Sequence, residues 1–175
     1  PDPVDDFWLQ GAPDFEGKPF ASVTRGSSDL DDIEPEAKEG EEKKEKASES
    51  QMTTLVTLMK EVLGDKVSDV KSTSRLTETA TCLVASDTGL DMALEKMLKA
   101  NNQLDQMTAK VLEINPAHPL IKKLAEKAGD KGATDTLADS VWLVFDQARI
   151  LQGDTLEDPA EFARRLSAAM EKGLA

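Results

Sequence analysis

Two residue types that carry much redox and metal chemistry are almost missing from this chain of 175 residues, which has one cysteine and one histidine. A single cysteine excludes an internal disulfide and fits a reducing compartment, so we expect a cytoplasmic protein. A single histidine excludes a metal site built on two histidines. The apolar runs are far shorter than a membrane span, and the N-terminus has no basic, apolar signal region.

Basic residues are scarce as well: 21 Lys and Arg stand against 34 Asp and Glu, which gives a net charge of −13. Such a surface repels phosphate backbones and anionic lipids, so we expect neither nucleic acid nor a membrane as a partner. Residues 29–50 hold ten of the acids and four lysines. This composition cannot build a core, and we interpret the segment as a mobile acidic linker or a solvated helix.

The sequence shows no catalytic constellation. Cys82 lies in an apolar stretch without a basic neighbour, which favours a buried, inert thiol. His118 stands at a helix start beside two prolines, which favours a structural role. Glu157 and Asp158 are explained by helix capping and the helix dipole. The glycines form neither a phosphate-binding loop nor a dinucleotide fingerprint, so we expect no enzyme and no bound cofactor or metal in this chain.

The clearest pattern is a pair of amphipathic helices in residues 135–174, joined by a short turn. Gly153 ends the first helix, and Asp158 caps the second. Pro159 fits the first position of that second helix, and Glu161 lies where a capping box needs an acid. The first helix has one apolar stripe at spacings of three and four, and so has the second. The two stripes are Leu137, Val141, Val144, Phe145, Ala148 and Leu151, and then Phe162, Leu166, Ala169 and Met170.

The first helix has more apolar surface than a hairpin of two helices covers. Leu143 and Ile150, seven residues apart, make a further stripe on nearly the opposite side, and Trp142 lies on its flank. These side chains need another partner. That partner is either the rest of the domain or a second copy of the chain that completes a four-helix bundle, and the pattern alone leaves both open.

The N-terminal part predicts smaller elements. Residues 1–28 hold four of the seven aromatics, which predicts a small packed unit with a turn at Glu16 and Gly17 and a strand from Pro19. Further on, Ser50 is predicted to cap an amphipathic helix that ends at Gly64.

Short strands are predicted to alternate with helices in the middle of the chain. We therefore expect an α+β fold: a small, mostly antiparallel three-stranded sheet with flanking helices and the C-terminal helix hairpin. The predicted strands are residues 66–76, 81–85 and 110–115, and the helix that follows them is 117–128.

Three segments, in order along the chain, resemble one protein family. Residues 141–166, VWLVFDQARILQGDTLEDPAEFARRL, resemble the C-terminal dimerisation helices of the ninety-kilodalton heat-shock chaperones, in particular the bacterial type. LEINPAHPLIKKL, residues 112–124, resembles the family's Leu-Glu-Ile-Asn-Pro-x-His segment. Residues 74–100 resemble its Arg-Leu strand and the amphipathic helix that follows. The match runs from about residue 4 to the C-terminus and is weakest in 29–50.

The resemblance implies the dimerisation and client-contact module of an ATP-dependent chaperone that assists protein folding under stress. It divides the chain into the end of the middle domain at 1–28, a linker at 29–50 and the C-terminal dimerisation domain at 51–175. We interpret the chain as a piece of a longer protein, in which ATP and magnesium belong to a domain that precedes Pro1. The implied homodimer is a four-helix bundle, and the predicted interface residues are Val141, Trp142, Leu143, Phe145, Ile150, Phe162, Leu166 and Met170.

A second candidate site lies between the predicted strands. Leu90, Leu94, Met97 and Leu98 share one face of a predicted helix, and Glu95 lies on the other. The stripe is either core or an exposed, adaptable patch, and the resemblance favours the patch, because this helix contacts non-native client proteins in the family. Leu90 stands where the family often has Trp. A free-standing acidic helical interaction module of unrelated ancestry is the alternative function.

Overall fold

The computed structural model describes residues 11–12, 14–20, 47–86, 95, 97–98, 101 and 108–174. The predictions for most of the linker at 29–50 and for most of the client-contact helix lie outside the described residues. Within the described ranges, no helix combines the length and the apolar character that crossing a bilayer demands.

A two-stranded hairpin lies near the N-terminus. Strand β1 (Asp14–Phe15) pairs antiparallel with β2 (Lys18–Pro19). The turn between them places Glu16 at φ 52° and Gly17 at φ 76°, so the predicted turn is confirmed. Phe15 and Phe20 are 66% and 49% exposed, so these two aromatics do not form the packed unit that their density predicts.

Helix α1 (Glu49–Leu63) begins the main domain. Its N-cap is Ser48 and not the predicted Ser50, because Ser48 and Gln51 form a reciprocal capping box. The Gln51 N–H donates to the Ser48 hydroxyl at 3.4 Å, and the Ser48 N–H donates to the Gln51 side-chain oxygen at 3.2 Å. The helix ends at Gly64 as predicted, and a short 3₁₀ turn (Gly64–Lys66) leads into the sheet.

The three-stranded sheet has the order β3-β5-β4, with β3 at Val67–Ser72, β4 at Thr81–Val84 and β5 at Lys110–Ile114. It is mixed: β3 pairs parallel with β5, and β4 pairs antiparallel with it. The expectation of a mostly antiparallel sheet was therefore wrong. The physical reason is that β3 and β4 run in opposite directions and β5 lies between them, so β5 matches the direction of only one.

One face of the sheet packs against the helices and forms one side of the hydrophobic core. Val70, Leu83 and Leu112 stand side by side in the register and are all buried. Helices α1, α2 (Pro119–Lys127) and α3 (Ala133–Leu151) pack around that face. The largest contributions from these helices are Leu55, Met59 and Leu63 of α1, Ile121 and Leu124 of α2, and Leu137, Val141, Val144 and Phe145 of α3.

Two polar residues join β5 to α2. The buried Asn115 accepts from the Ala117 N–H at 2.9 Å and donates through Nδ2 to the Thr79 carbonyl at 3.2 Å. His118 is the N-cap of α2, since its Nδ1 accepts from the Leu120 N–H at 3.2 Å. The structural role predicted for His118 is confirmed.

Candidate functional site

The candidate site is the hairpin of α3 and α4 (Pro159–Leu174) at the C-terminal end of the chain. Gly153, at φ 74°, follows the end of α3 as predicted. The Asp158 carboxylate accepts from the Glu161 N–H at 2.9 Å, so Asp158 caps α4. The Glu161 side chain does not complete a capping box. It accepts instead from Arg164, from Nη2 at 2.7 Å and from Nε at 2.9 Å.

Helix α4 has no buried residue in this single chain, although it has 16 residues and one apolar stripe. Leu166 is 38% exposed and Met170 is 58% exposed, while Phe162 is half-buried. On α3, Ile150 is 48% exposed and Leu151 is 67% exposed. The hairpin therefore exposes several large apolar side chains on both of its helices, which is typical of a contact surface.

The predicted interface residues divide into two groups. The chain itself buries Val141 and Phe145 in its core, and Leu143 is 8% exposed. A partner reaches none of these three side chains without a change in the fold. The residues that remain accessible are Trp142, Ile150, Phe162, Leu166 and Met170.

Polar contacts hold α4 against α3. The guanidinium of Arg165 lies over the Trp142 ring at 5.2 Å, and its Nε donates to Asp139 at 3.2 Å. The Trp142 ring meets Phe145 edge to face, with centroids 5.9 Å apart. Asp139 also pairs with Arg164 at 3.3 Å. The hydrogen bond from Arg164 lowers the pKa of Glu161.

The turn between α3 and α4 is fixed to the sheet by a buried cluster. Lys110 Nζ donates to Gln152 Oε1 and to Asp154 Oδ2, both at 3.1 Å. Gln152 Nε2 in turn donates to the Leu83 carbonyl at 2.7 Å. The side chains of Lys110 and Asp154 are 9% and 16% exposed. Sequence reasoning missed this cluster, because its partners lie 42 to 69 positions apart.

A second group of charges, centred on the exposed Glu157, fixes the same turn. Glu157 pairs with Lys66 at 2.7 Å and with Arg149 at 3.2 Å. The hydrogen bond between Lys66 and Glu157 raises the pKa of the lysine and lowers the pKa of the carboxyl. Arg149 also donates to the Thr155 carbonyl at 2.7 Å. The orientation of α4 is thus set mostly by polar contacts and not by burial.

The predicted client-contact residues are described only in part. Leu90 and Leu94 lie outside the described residues, and Met97 and Leu98 are half-buried. Glu95 is 2% exposed, and its carboxylate accepts from the Thr108 N–H at the entry to β5. Glu95 therefore faces the protein, contrary to the usual preference of a carboxylate for water.

The cysteine and the carboxylates of the sheet show no arrangement typical of a catalytic or metal site within the described residues. Cys82 is half-buried, and burial raises the pKa of its thiol. Glu113, beside Cys82 on the sheet, pairs with Arg75 at 2.6 Å. In the part of the chain that the structure describes, no three His, Cys, Asp or Glu side chains are grouped closely enough to hold a metal ion.

Comparison with known proteins decides the family. The sequence model described as "Hsp90 protein" matches residues 1–175. The chain belongs to the Hsp90 family. It is similar to "Chaperone protein HtpG" of Roseobacter denitrificans, with 46% identity over 175 residues, 99% of this chain and 28% of the relative. The corresponding protein of Paramagnetospirillum magneticum is 44% identical over 174 residues, again 99% and 28%.

A less similar relative matches the chain over the same length. "Chaperone protein HtpG" of Wolbachia sp. subsp. Brugia malayi is 37% identical over 172 residues, 98% of this chain and 27% of the relative. The chain thus spans little more than a quarter of the length of the Hsp90 relatives it matches, and it corresponds to their C-terminal part. The family inferred from three sequence segments is confirmed.

Proposed function

We propose that this chain is the dimerisation and client-contact module of an ATP-dependent chaperone of bacterial type. The observation that carries the proposal is the surface of α4, a 16-residue amphipathic helix without one buried residue in the single chain. An apolar stripe of that length is stable in water when another surface covers it. A second copy of the hairpin provides such a surface and completes a four-helix bundle about a two-fold axis.

The accessible residues define which side chains test the interface. Leu166→Asp combined with Met170→Asp places two charges on the α4 stripe, and both side chains are already exposed in the single chain. We expect the wild-type chain to sediment as a dimer at tens of micromolar, where a dimer of about −7 to −8 kcal/mol begins to assemble. The double variant is expected to be a folded monomer, since exposed substitutions change stability by only about 0.5 kcal/mol.

A matched control separates the interface from a general effect of charge. Phe15 is 66% exposed and lies in β1, far in the sequence from the helix hairpin of α3 and α4, so Phe15→Asp should leave the dimer intact. Ile150→Asp tests the α3 side of the surface. Leu143→Asp does not, because Leu143 is buried and its replacement would disturb the fold. A wild-type chain that is monomeric at these concentrations would refute the proposal.

In such a dimer the hairpin acts through effective concentration. Holding two chains together at one end makes the encounter of their other domains intramolecular, which raises the local concentration of those domains to about the millimolar range. We propose that the same dimer presents the client-contact residues, as the resemblance to the family implies. The proposed module then has two functions, joining the copies and contacting client proteins.

The client-contact residues are proposed to be Leu90, Leu94, Met97 and Leu98. The buried, hydrogen-bonded Glu95 supports this, because the acidic residue faces the protein while the apolar Met97 and Leu98 are only half-buried. Leu94→Ser with Met97→Ser should change stability by about 0.5 kcal/mol or less if these side chains are exposed. The same variant should suppress aggregation of a model client less well in the full-length protein.

The control for the client experiment is Leu174→Ser, since Leu174 is 85% exposed and lies at the far end of α4. It should change neither the melting temperature nor the suppression of aggregation. If the double serine variant unfolds instead, with a loss of several kcal/mol typical of truncated core residues, the helix is part of the core and the client-contact proposal fails.

Nucleotide chemistry is proposed to lie in the rest of the longer protein. The residues of this chain do not suit an ATP–magnesium complex, since its glycines form no phosphate-cradling loop and the described carboxylates make no group that could hold the ion. We therefore expect no ATP hydrolysis by the chain itself. Turnover that co-elutes with the chain on a sizing column after rigorous purification would contradict this.

A further inference from the structure

Met170 is the most exposed methionine among the residues that the structure describes. It is 58% exposed, whereas Met52 and Met59 are 6% and 0% exposed in the core, and Met97 is half-buried. Two of the six methionines of the sequence lie outside the described residues. A thioether reacts with a peroxide without first losing a proton, so access to its sulfur governs how fast it is oxidised. A dissolved oxidant therefore reaches Met170 more readily than the other described methionines.

The one thiol of the chain is a poorer target for an oxidant. Cys82 of β4 is half-buried, and burial raises the pKa of its thiol. The Glu113 carboxylate adds to that rise, while Arg75 opposes it. Peroxides react with a thiolate, and a raised pKa keeps the thiol protonated at neutral pH. The thioether of Met170 is thus better placed for oxidation than the thiol.

The position of Met170 gives its oxidation a consequence. Leu166 and Met170 lie four residues apart, so they are neighbours on α4, and both belong to the apolar stripe that we propose a second copy covers. A thioether is unbranched and apolar, which suits such a contact, whereas a sulfoxide is polar. A sulfoxide covered by a partner loses its hydration unless it finds a hydrogen-bond donor. Oxidation of this one sulfur therefore disfavours covering the stripe.

We propose that Met170 is an oxidative modification site that controls dimerisation through α4. The inference rests on the proposed dimer and adds a regulation to it. The oxidant is a peroxide: a lone pair of the sulfur attacks one peroxide oxygen, an S–O bond forms and the O–O bond breaks. With hydrogen peroxide, the departing hydroxide takes up the proton of the transferred oxygen, so the products are the sulfoxide and one water. The sulfur loses two electrons, and the peroxide gains them.

Dimerisation and oxidation should oppose each other. A partner that covers the stripe also covers the sulfur, so peroxide attacks Met170 mainly in the single chain. The rate of sulfoxide formation should therefore fall as the chain concentration rises above the dissociation constant of the dimer. Both copies of a two-fold dimer carry Met170, so full oxidation changes the interface at two symmetric places.

The experiment treats the 175-residue chain with hydrogen peroxide at concentrations below and above the dissociation constant, and mass spectrometry measures the sulfoxide in each methionine peptide. In the dilute chain Met170 should be oxidised faster than Met52 and Met59, and concentrating the chain should slow its oxidation. Sedimentation then measures the dissociation constant before and after the treatment. We expect oxidation to raise that constant by about tenfold or more in the wild type.

Two methionine replacements assign the effect to one sulfur. Met170→Leu removes the thioether, so peroxide should leave its dissociation constant at the value that the untreated variant has. Met52→Leu is the matched control, because it makes the same replacement at a buried methionine, and it should respond to peroxide as the wild type does. A methionine sulfoxide reductase should restore the oxidised wild-type dimer, whereas a thiol reductant alone should not.

The possible failures are distinguishable. Equal weakening of the wild type and Met170→Leu would assign the effect to another residue and overturn the inference. Recovery with a thiol reductant alone would point to Cys82 and also overturn it. Complete oxidation of Met170 with an unchanged dissociation constant would overturn it while the proposed dimer stands. An untreated wild type that is monomeric would instead refute the proposed function.

Discussion

Breaking the buried pair of Lys110 and Asp154 should destabilise the chain far more than breaking a pair at its surface. Lys110→Met removes two hydrogen bonds from one ammonium, both at 3.1 Å, and leaves Asp154 with 16% of its side chain exposed. Removing one partner of a fully buried ion pair costs about 3–5 kcal/mol, and each lost hydrogen bond to a charge about 1.5–3 kcal/mol. Because Asp154 keeps some contact with water, we expect about 2–4 kcal/mol.

The assay is thermal and denaturant unfolding followed by circular dichroism. For a chain of this size, a loss of 1 kcal/mol lowers the melting temperature by about 2–4 °C, so Lys110→Met should lower it by about 5–15 °C. Replacing both partners, Lys110→Met with Asp154→Leu, should recover part of the loss, because an apolar pair leaves no buried charge behind. The double-mutant cycle should give a coupling energy of at least about 1 kcal/mol.

The pair of Lys60 and Asp69 supplies the control. Its nitrogen and oxygen lie 2.5 Å apart, but the two side chains are 48% and 34% exposed. Exposed pairs contribute about 1 kcal/mol or less, so Lys60→Met should lower the melting temperature only slightly. Equal effects of Lys60→Met and Lys110→Met, or strict additivity in the Lys110 and Asp154 cycle, would refute the argument that burial decides the magnitude.

Three further predictions concern single contacts. His118→Ala should cost about 0.5–2 kcal/mol of unfolding free energy while His118→Asn costs little, since Asn also caps helices well. Asn115→Ala should cost about 2 kcal/mol or more, because the Thr79 carbonyl and the Ala117 N–H lose a buried partner. The pKa of Glu157 is lowered below 4.5 and that of Lys66 raised above 10.5, so their pair stabilises the fold between these values. The stability lost in Lys66→Met should shrink as the pH falls below about 4.5, a trend that pH-dependent unfolding of both proteins would reveal.

Signals that are local in the sequence predicted the ends of the helices well. Gly64 and Gly153 end their helices, and Asp158 caps the helix that Pro159 begins, because a cap depends on three or four neighbouring residues. The error at the start of α1 has the same origin. Ser48 and Ser50 are both good capping residues, and the choice depends on whether Gln51 returns a hydrogen bond.

Strand pairing was predicted less well, because it depends on residues far apart in the chain. The three strands were located to within a few residues. The central place of β5 in the sheet was not predicted, although all five of its residues are buried. A strand buried on both faces belongs inside a sheet. Because β3 and β4 run in opposite directions, β5 between them has one parallel and one antiparallel neighbour.

The candidate site shows the same division between local and distant information. The spacing of Phe162, Leu166 and Met170 predicts the stripe of α4 correctly, since it is a property of one helix. The partner of Leu143 is not a local property. The helical pattern places Leu143 on a further stripe and leaves its partner open, whereas the fold buries Leu143 within the single chain. No signal in its own neighbourhood reveals the elements packed against it.

The contacts of the turn explain how an unburied helix is held in one orientation. Helix α4 has no buried side chain to fix its angle, so its position depends on polar contacts: those of Arg164 and Arg165 with α3, and those of the turn that precedes the helix. Asp154 is anchored to the sheet through Lys110, and Glu157 is anchored through Lys66 and Arg149. These anchors fix the direction of the helix before any partner binds, and a surface oriented in advance loses less conformational entropy on association. It follows that loss of the buried anchor should weaken any dimer formed through α4 even though none of its residues belongs to the apolar stripe.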